Sequence, residues 1–287
     1  MTYILLSILA SSAILLLFRW FSSAGIETRH AIMTNYLVAS LTGLAVFTPT
    51  DSWLHQPWFW PSAGLGILFY TIFRVMAKTA QENGVAVGVV VTKMSVVIPV
   101  IIGLSVLSES VNWLKIVGIL SGIASVFLTA KGHVKKGALT WPIILFIGSG
   151  VIDSLLNLFQ KWSVSEAEFP VFASTIFGFA FSTAFIHHLT FKDKQVKTKS
   201  LLGGLLLGIV NFGSIYFLMK ALAIPDLESS VVFPINNFGI VLLSTILAIV
   251  LFKERPTWKN WLGILLAFGA IWFLYLSKWV IRIYTKP

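Results

Sequence analysis

The sequence predicts an all-α integral membrane protein of ten transmembrane helices, built as two inverted five-helix repeats (5+5). Composition, the spacing of apolar runs and an internal repeat predict it. Of 287 residues, 57% are hydrophobic and 11% charged, whereas soluble domains carry about 25% charged residues. A water-soluble globule of this size cannot hide that much apolar surface. The absence of cysteine excludes thiol catalysis, disulfide scaffolds and Cys-ligated zinc. No cofactor and no metal site are expected.

A spanning helix needs roughly 20 mainly apolar residues. Such runs lie at 3–21, 31–47, 61–80, 85–107, 113–130, 139–160, 171–189, 200–221, 229–252 and 259–277. The first follows Met1 with no basic stretch before it, so it reads as a retained helix and not a signal peptide. Pro57 and Pro61 stand at the start of the third run, Pro142 of the sixth, Pro170 of the seventh and Pro256 of the tenth. A missing N–H costs nothing at those positions. Trp53, Trp58, Trp60, Trp113, Trp141, Trp162, Trp258, Trp261 and Tyr284 crowd the run ends, as an interfacial aromatic belt requires. Pro99 and Pro234 lie inside the fourth and ninth runs and are candidate flex points.

The chain also repeats itself. A shift of 145 lays Glu109 and Trp113 on Glu254 and Trp258, and Gly118-Ile119-Leu120 on Gly263-Ile264-Leu265. Shifts of 143 and 142 match Phe69, Met76 and Ala80 to Phe212, Met219 and Ala223, and Ser12, Leu16 and Trp20 to Ser154, Leu158 and Trp162. The halves are 1–132 and 133–287. An odd number of helices per copy forces opposite orientations, an architecture that places a binding site where the repeats meet.

Gly84 to Ala130 carries a mid-span proline, a short turn with a glutamate and a glycine-containing helix, and Ser229 to Leu276 repeats the pattern. This resembles the EamA domain of the drug/metabolite transporter (DMT) superfamily. The turns here read Ser108-Glu109 and Lys253-Glu254 where the family usually has Gly-Glu. The resemblance implies a ten-helix permease for small molecules, often an exporter or exchanger of metabolites and amino acids.

The net charge is +10. Basic residues sit in short clusters between apolar runs, as topogenic loop charges do, and no nucleic-acid-binding motif appears. Most follow odd-numbered runs, which places both termini outside the cytoplasm; the resemblance implies both inside. A bacterial inner membrane is the expected location, with the lipid bilayer and a small-molecule substrate as partners and no nucleic acid.

Ionisable groups near the bilayer midplane cost about 2.5–3.5 kcal/mol on insertion scales, so they mark functional positions. Lys93 in the fourth run and Asp153 in the sixth qualify. They read either as a structural ion pair or as a site in which Lys93 docks a substrate carboxylate or phosphate and Asp153 an amine or a proton. Polar companions are Thr92 and Ser95, Asn157, Asn236 and Asn237 just after Pro234, Asn211, Tyr216 and Tyr70. Together they outline a substrate-binding cavity for an anionic or zwitterionic metabolite, moved by alternating access with proton coupling or exchange. Glu109 and Glu254 read as acidic residues at helix N-termini. Gly118-xxx-Gly122 and Gly204-xxx-Gly208 allow close helix packing, within the chain or in a homodimer. The alternative is a membrane-embedded enzyme acting on a lipid-linked substrate. The chain has no His-Glu-x-x-His, Gly-x-Ser-x-Gly or P-loop signature and is read as not an enzyme. His187-His188 points in two directions about 100° apart on a helix, a poor metal pair.

Overall fold

The computed structural model describes residues 1–46, 53–83, 85–130, 139–190, 197–225, 227–252 and 257–285. Glu254 and Pro256, and the basic positions Lys131, Lys135, Lys136, Lys192, Lys194, Lys253 and Arg255, lie outside them. The α-helices are α1 (Thr2–Ala24), α2 (Thr28–Val46), α3 (Phe59–Asn83), α4 (Val85–Met94), α5 (Val97–Ser105), α6 (Trp113–Ala130), α7 (Thr140–Trp162), α8 (Phe169–Leu189), α9 (Thr198–Leu222), α10 (Ser229–Phe252) and α11 (Trp258–Thr285). No strand occurs among the described residues.

Six stretches among them are long and apolar enough to cross a membrane: Phe59–Thr79, Val87–Ser105, Thr140–Trp162, Glu166–Leu189, Thr198–Leu222 and Ser229–Leu251. Thr2–Phe18, Trp113–Val126 and Trp261–Ser277 are shorter apolar helices. α2 is in neither group, because His30, Thr34, Asn35, Ser40 and Thr42 break up its apolar surface. Residues such as Leu41 (55% exposed), Ile147 (52%) and Leu265 (66%) turn large apolar side chains outward, as lipid-facing surfaces do.

The chain divides into two compact units, neither of them one of the sequence halves. Unit 1 holds Met1–Thr71 and Leu158–Lys220, and unit 2 holds Ile72–Asn157 and Ala221–Pro287. α3, α7 and α9 therefore each contribute residues to both.

Unit 1 is centred on α8, whose Phe169, Phe172, Phe177 and Ala180 are buried. Trp58 sits edge-on to Phe172, ring centroids 5.5 Å apart, and is wholly buried. This corrects its reading as an interfacial aromatic: the indole fills the core, whereas Trp60, Trp113, Trp162 and Trp258 are exposed. α1 ends at Gly25 in the left-handed region (φ 64), and the next N–H, of Ile26, donates back to the Phe21 carbonyl at 3.0 Å. Phe21 and Ile26 then share one apolar cluster, the usual companion of that helix stop. Gly204 and Gly208 of α9 lie against Ala31, Thr34, Asn35 and Val38 of α2.

Unit 2 packs α6 against α11 and α10. At Gly118 the approaching atoms are the Ala270 carbonyl and Leu274, and the Ser125 hydroxyl donates to the Gly263 carbonyl at 2.7 Å. A Cβ at Gly122 would stand 1.9 Å from a ring carbon of Phe238. Both glycine pairs thus serve packing within one unit of the chain.

The α5–α6 turn is tied to the N-terminus of α10. Ser229 and Ser230 donate their backbone N–H groups to the Glu109 carboxylate, each at 2.8 Å. Glu228 accepts from the backbone and hydroxyl of Ser110, both at 2.8 Å. Lys115 is buried here and bonds Glu228 (2.5 Å), the Ser110 carbonyl (2.5 Å) and Ser230 (2.9 Å). Asn112 opens α6 by accepting from the Lys115 N–H, so the helix that Glu109 caps is α10. Gly103 leaves room for that carboxylate: a Cβ there would meet Glu109 Oε2 at 2.8 Å. Ser108 takes φ 53, the left-handed conformation that glycine adopts without strain.

Two outcomes follow from this packing. Gly122→Ala displaces the buried Phe238 ring and lowers stability by about 1–3 kcal/mol, read as the melting temperature of purified protein in detergent. Burial raises the Glu109 carboxyl, but hydrogen bonds from Ser229 and Ser230 outweigh it and hold it below its ordinary value. A depressed carboxylate stabilises the fold above its unfolded pKa and loses that contribution as pH falls through the folded one. Glu109→Gln is expected to cost about 1–2 kcal/mol at pH 7. The difference from the parent protein should shrink as melting is repeated at pH values falling below about 4.

Candidate functional site

The fourth apolar run is not one helix. α4 stops at Met94, Ser95 and Val96 form a turn, and α5 starts at Val97. Pro99 explains the break: it has no N–H to offer the Ser95 carbonyl one turn back. That carbonyl accepts from Ile98 instead, at 2.9 Å. The Ser95 hydroxyl donates to the Thr92 carbonyl at 2.6 Å, and Thr92 to the Gly88 carbonyl at 2.8 Å. Both hydroxyls are thus committed to their own backbone.

Lys93 occupies the last turn of α4, where the carbonyl end of the helix favours a cation. It is half-buried, and its ammonium donates to Asn237 Oδ1 of α10 at 3.1 Å. Asn236 and Asn237 are both buried (5% and 6% exposed). Pro234 lies within α10, which runs unbroken from Ser229 to Phe252, so of the two candidate flex points only Pro99 breaks its helix.

α7 supplies the opposite charge. A Cβ on Gly150 would stand 2.4 Å from Ile98 Cδ1, so α7 lies close to the start of α5 at that level. Asp153, three residues on, is close enough that its charge and that of Lys93 act on each other. Asn157 is one further turn along the same face, fully buried, and neither of its amide atoms has a hydrogen-bond partner. Ser154 donates to the Gly150 carbonyl at 2.7 Å. Unit 2 therefore contains Thr92, Lys93, Ser95, Asp153, Asn157, Asn236 and Asn237.

Tyr70, Asn211 and Tyr216 belong to unit 1, each with its own neighbours. Tyr70 hydrogen-bonds His187 Nδ1 at 2.6 Å. Asn211 donates to Asn35 Oδ1 at 3.1 Å, and Tyr216 stacks on Phe212 at 5.7 Å. Lys220 reaches Glu166 at 3.2 Å and lies 5.6 Å over the Phe169 ring.

Several polar residues escaped the sequence reading. His30 is buried in α2, its Nδ1 3.1 Å from Glu27 Oε2 and its ring 5.2 Å from that of His188. Asn35, the partner of Asn211, was also passed over. These partners are 176 residues apart, and no local pattern links them. The signal for Asn35 was a polar side chain inside an otherwise apolar run, whereas His30 stands one residue before that run. Among the described residues no group of three or more His, Cys, Asp or Glu side chains could hold a metal.

Comparisons with known proteins agree with this architecture. A solved crystal structure with 15% sequence identity superposes with a TM-score of 0.76, covering 99% of this chain and 98% of that one. At that identity the likeness shows the fold alone. An uncharacterized protein of Haemophilus influenzae is 28% identical over 288 residues, spanning 95% of this chain and 97% of the relative. Residues 140–276 match the model of the EamA-like transporter family, whose members are transporters and not enzymes. That match over the second half of the chain, together with its long apolar helices, marks an integral multi-pass membrane protein.

Proposed function

We propose that the chain is a permease for a small polar metabolite, anionic or zwitterionic, that Lys93 and Asp153 bind in unit 2. The carrying observation is an ammonium inside an apolar span, held at 3.1 Å by a neutral amide on α10 and in electrostatic reach of Asp153 on α7. A structural ion pair would satisfy the ammonium with a carboxylate. Pairing with the neutral Asn237 leaves its charge to be met by a substrate carboxylate or phosphate, and leaves Asp153 for an amine or a proton. The chemistry suits a carrier, because a charged cargo can supply the counter-charge that the neutral Asn237 does not.

Transport proceeds by alternating access, with the α4–α5 break as the flex point. At that break the backbone hydrogen bonding is already interrupted, so a change of angle costs least there. The sequence repeat supports an inverted arrangement of 1–132 and 133–287 as five spans each, with the α4–α5 pair counting as one. A bacterial cytoplasmic membrane is the proposed location, in keeping with the bacterial source of the relative.

Proteoliposome flux tests the reading, with a panel of amino acids and small organic anions as cargo. Lys93→Met is expected to reduce flux at least about tenfold while its melting temperature stays near that of the parent; loss of folding instead would mark Lys93 as structural. Asp153→Asn is expected to abolish stimulation by a pH gradient and to leave exchange at equal pH in place. Unchanged gradient dependence in that variant would rule Asp153 out as the proton carrier.

A further inference from the structure

We propose that Asn157 is the specificity-determining residue of the Lys93–Asp153 site, reading a hydroxyl or carboxamide on the substrate. The inference rests on the permease reading above and adds the class of cargo.

It emerges from asking which polar groups near the two charges are already committed. Thr92, Ser95 and Ser154 each donate to a carbonyl of their own helix or turn. Asn237 is taken by Lys93. The side chain of Asn157 differs: it is wholly buried, and its Oδ1 and Nδ2 both lack a hydrogen-bond partner. Asn236 Oδ1, next to the residue that holds Lys93, is buried and unpartnered as well.

An amide buried with both ends unmet is expensive, and native structures keep few of them. Leucine or alanine at position 157 would avoid that cost, so the amide needs a reason. Asn157 stands one turn from Asp153 on the same face of α7, which puts the unmet group alongside the charged pair. Its chemistry then defines what it can read. One acceptor beside an N–H donor complements a group that both donates and accepts, as a carboxamide or hydroxyl does. The cargo that meets all of these is a zwitterion with a hydroxyl or carboxamide side chain, and an apolar isostere would strand the amide. Sites built to hydrogen-bond such a group reject analogues without it far more strongly than apolar pockets reject a missing methylene.

The test is competition binding to purified full-length protein by thermal shift, with L-glutamine, L-asparagine and L-serine set against L-norleucine, L-leucine and L-alanine. The parent protein is expected to prefer the hydrogen-bonding set by at least about tenfold. Asn157→Leu should erase the preference while changing affinity for the apolar set by no more than about twofold. It should also raise the melting temperature of the ligand-free protein, because an unmet amide is removed. Lys93→Met should weaken both sets alike, so loss of the permease reading is distinguishable from loss of this one. A preference that survives Asn157→Leu, a lower melting temperature in that variant, or parent protein that binds neither set or favours the apolar one overturns the proposal.

Discussion

Hydrocarbon offers a polar group nothing to bond with, and this constraint organises the structure. Every backbone or side-chain donor placed among apolar spans must find its partner in the protein or carry its cost. Thr42, Ser62, Thr79, Thr92 and Ser154 each resolve this locally by donating to the carbonyl one turn back. Glu109, Glu228 and Lys115 resolve it collectively, closing the α5–α6 turn onto the start of α10 with charges that neutralise one another and two helix N-termini that need acceptors. Other groups are left outstanding: the Ser12 hydroxyl, the Trp58 indole N–H, the Gln160 and Asn236 amide oxygens, and both amide atoms of Asn157, while Lys93 rests on a neutral amide with Asp153 beside it.

The broken span follows from the same constraint. Removing one N–H at Pro99 orphans a carbonyl, and the chain answers with a turn at Ser95–Val96 whose polar groups bond inward. The interruption delivers Lys93 to a helix end, where the peptide dipoles favour a cation. At Pro234 the proline sits one turn inside α10, where first-turn N–H groups are met from outside by Glu109, and the helix continues. The same residue type thus gives a break in one place and a continuous helix in the other.

Much of this was legible along the chain. Apolar periodicity located the helices, and the prolines near 61, 142 and 170 marked their starts, because both follow from local rules of hydrogen bonding. Lys93 and Asp153 declared themselves by being charged where the solvent is hydrocarbon. Trp58 misled the reading, since an indole near a span end is equally at home at an interface or in a core, and only packing against Phe172 decides between them.

The sequence by itself determined the solvent this chain folds in, the positions of its apolar helices, and which ionisable side chains are out of place there. Those depend on composition and on neighbours within a turn or two. Tertiary structure decided the pairings: Lys93 with Asn237, Glu109 with the start of α10, Asn35 with Asn211, and nothing with Asn157. Each such partner lies more than 100 residues away in the chain. A hydrogen bond is short and directional, so its partner is chosen by the path of the folded backbone, which no local pattern records.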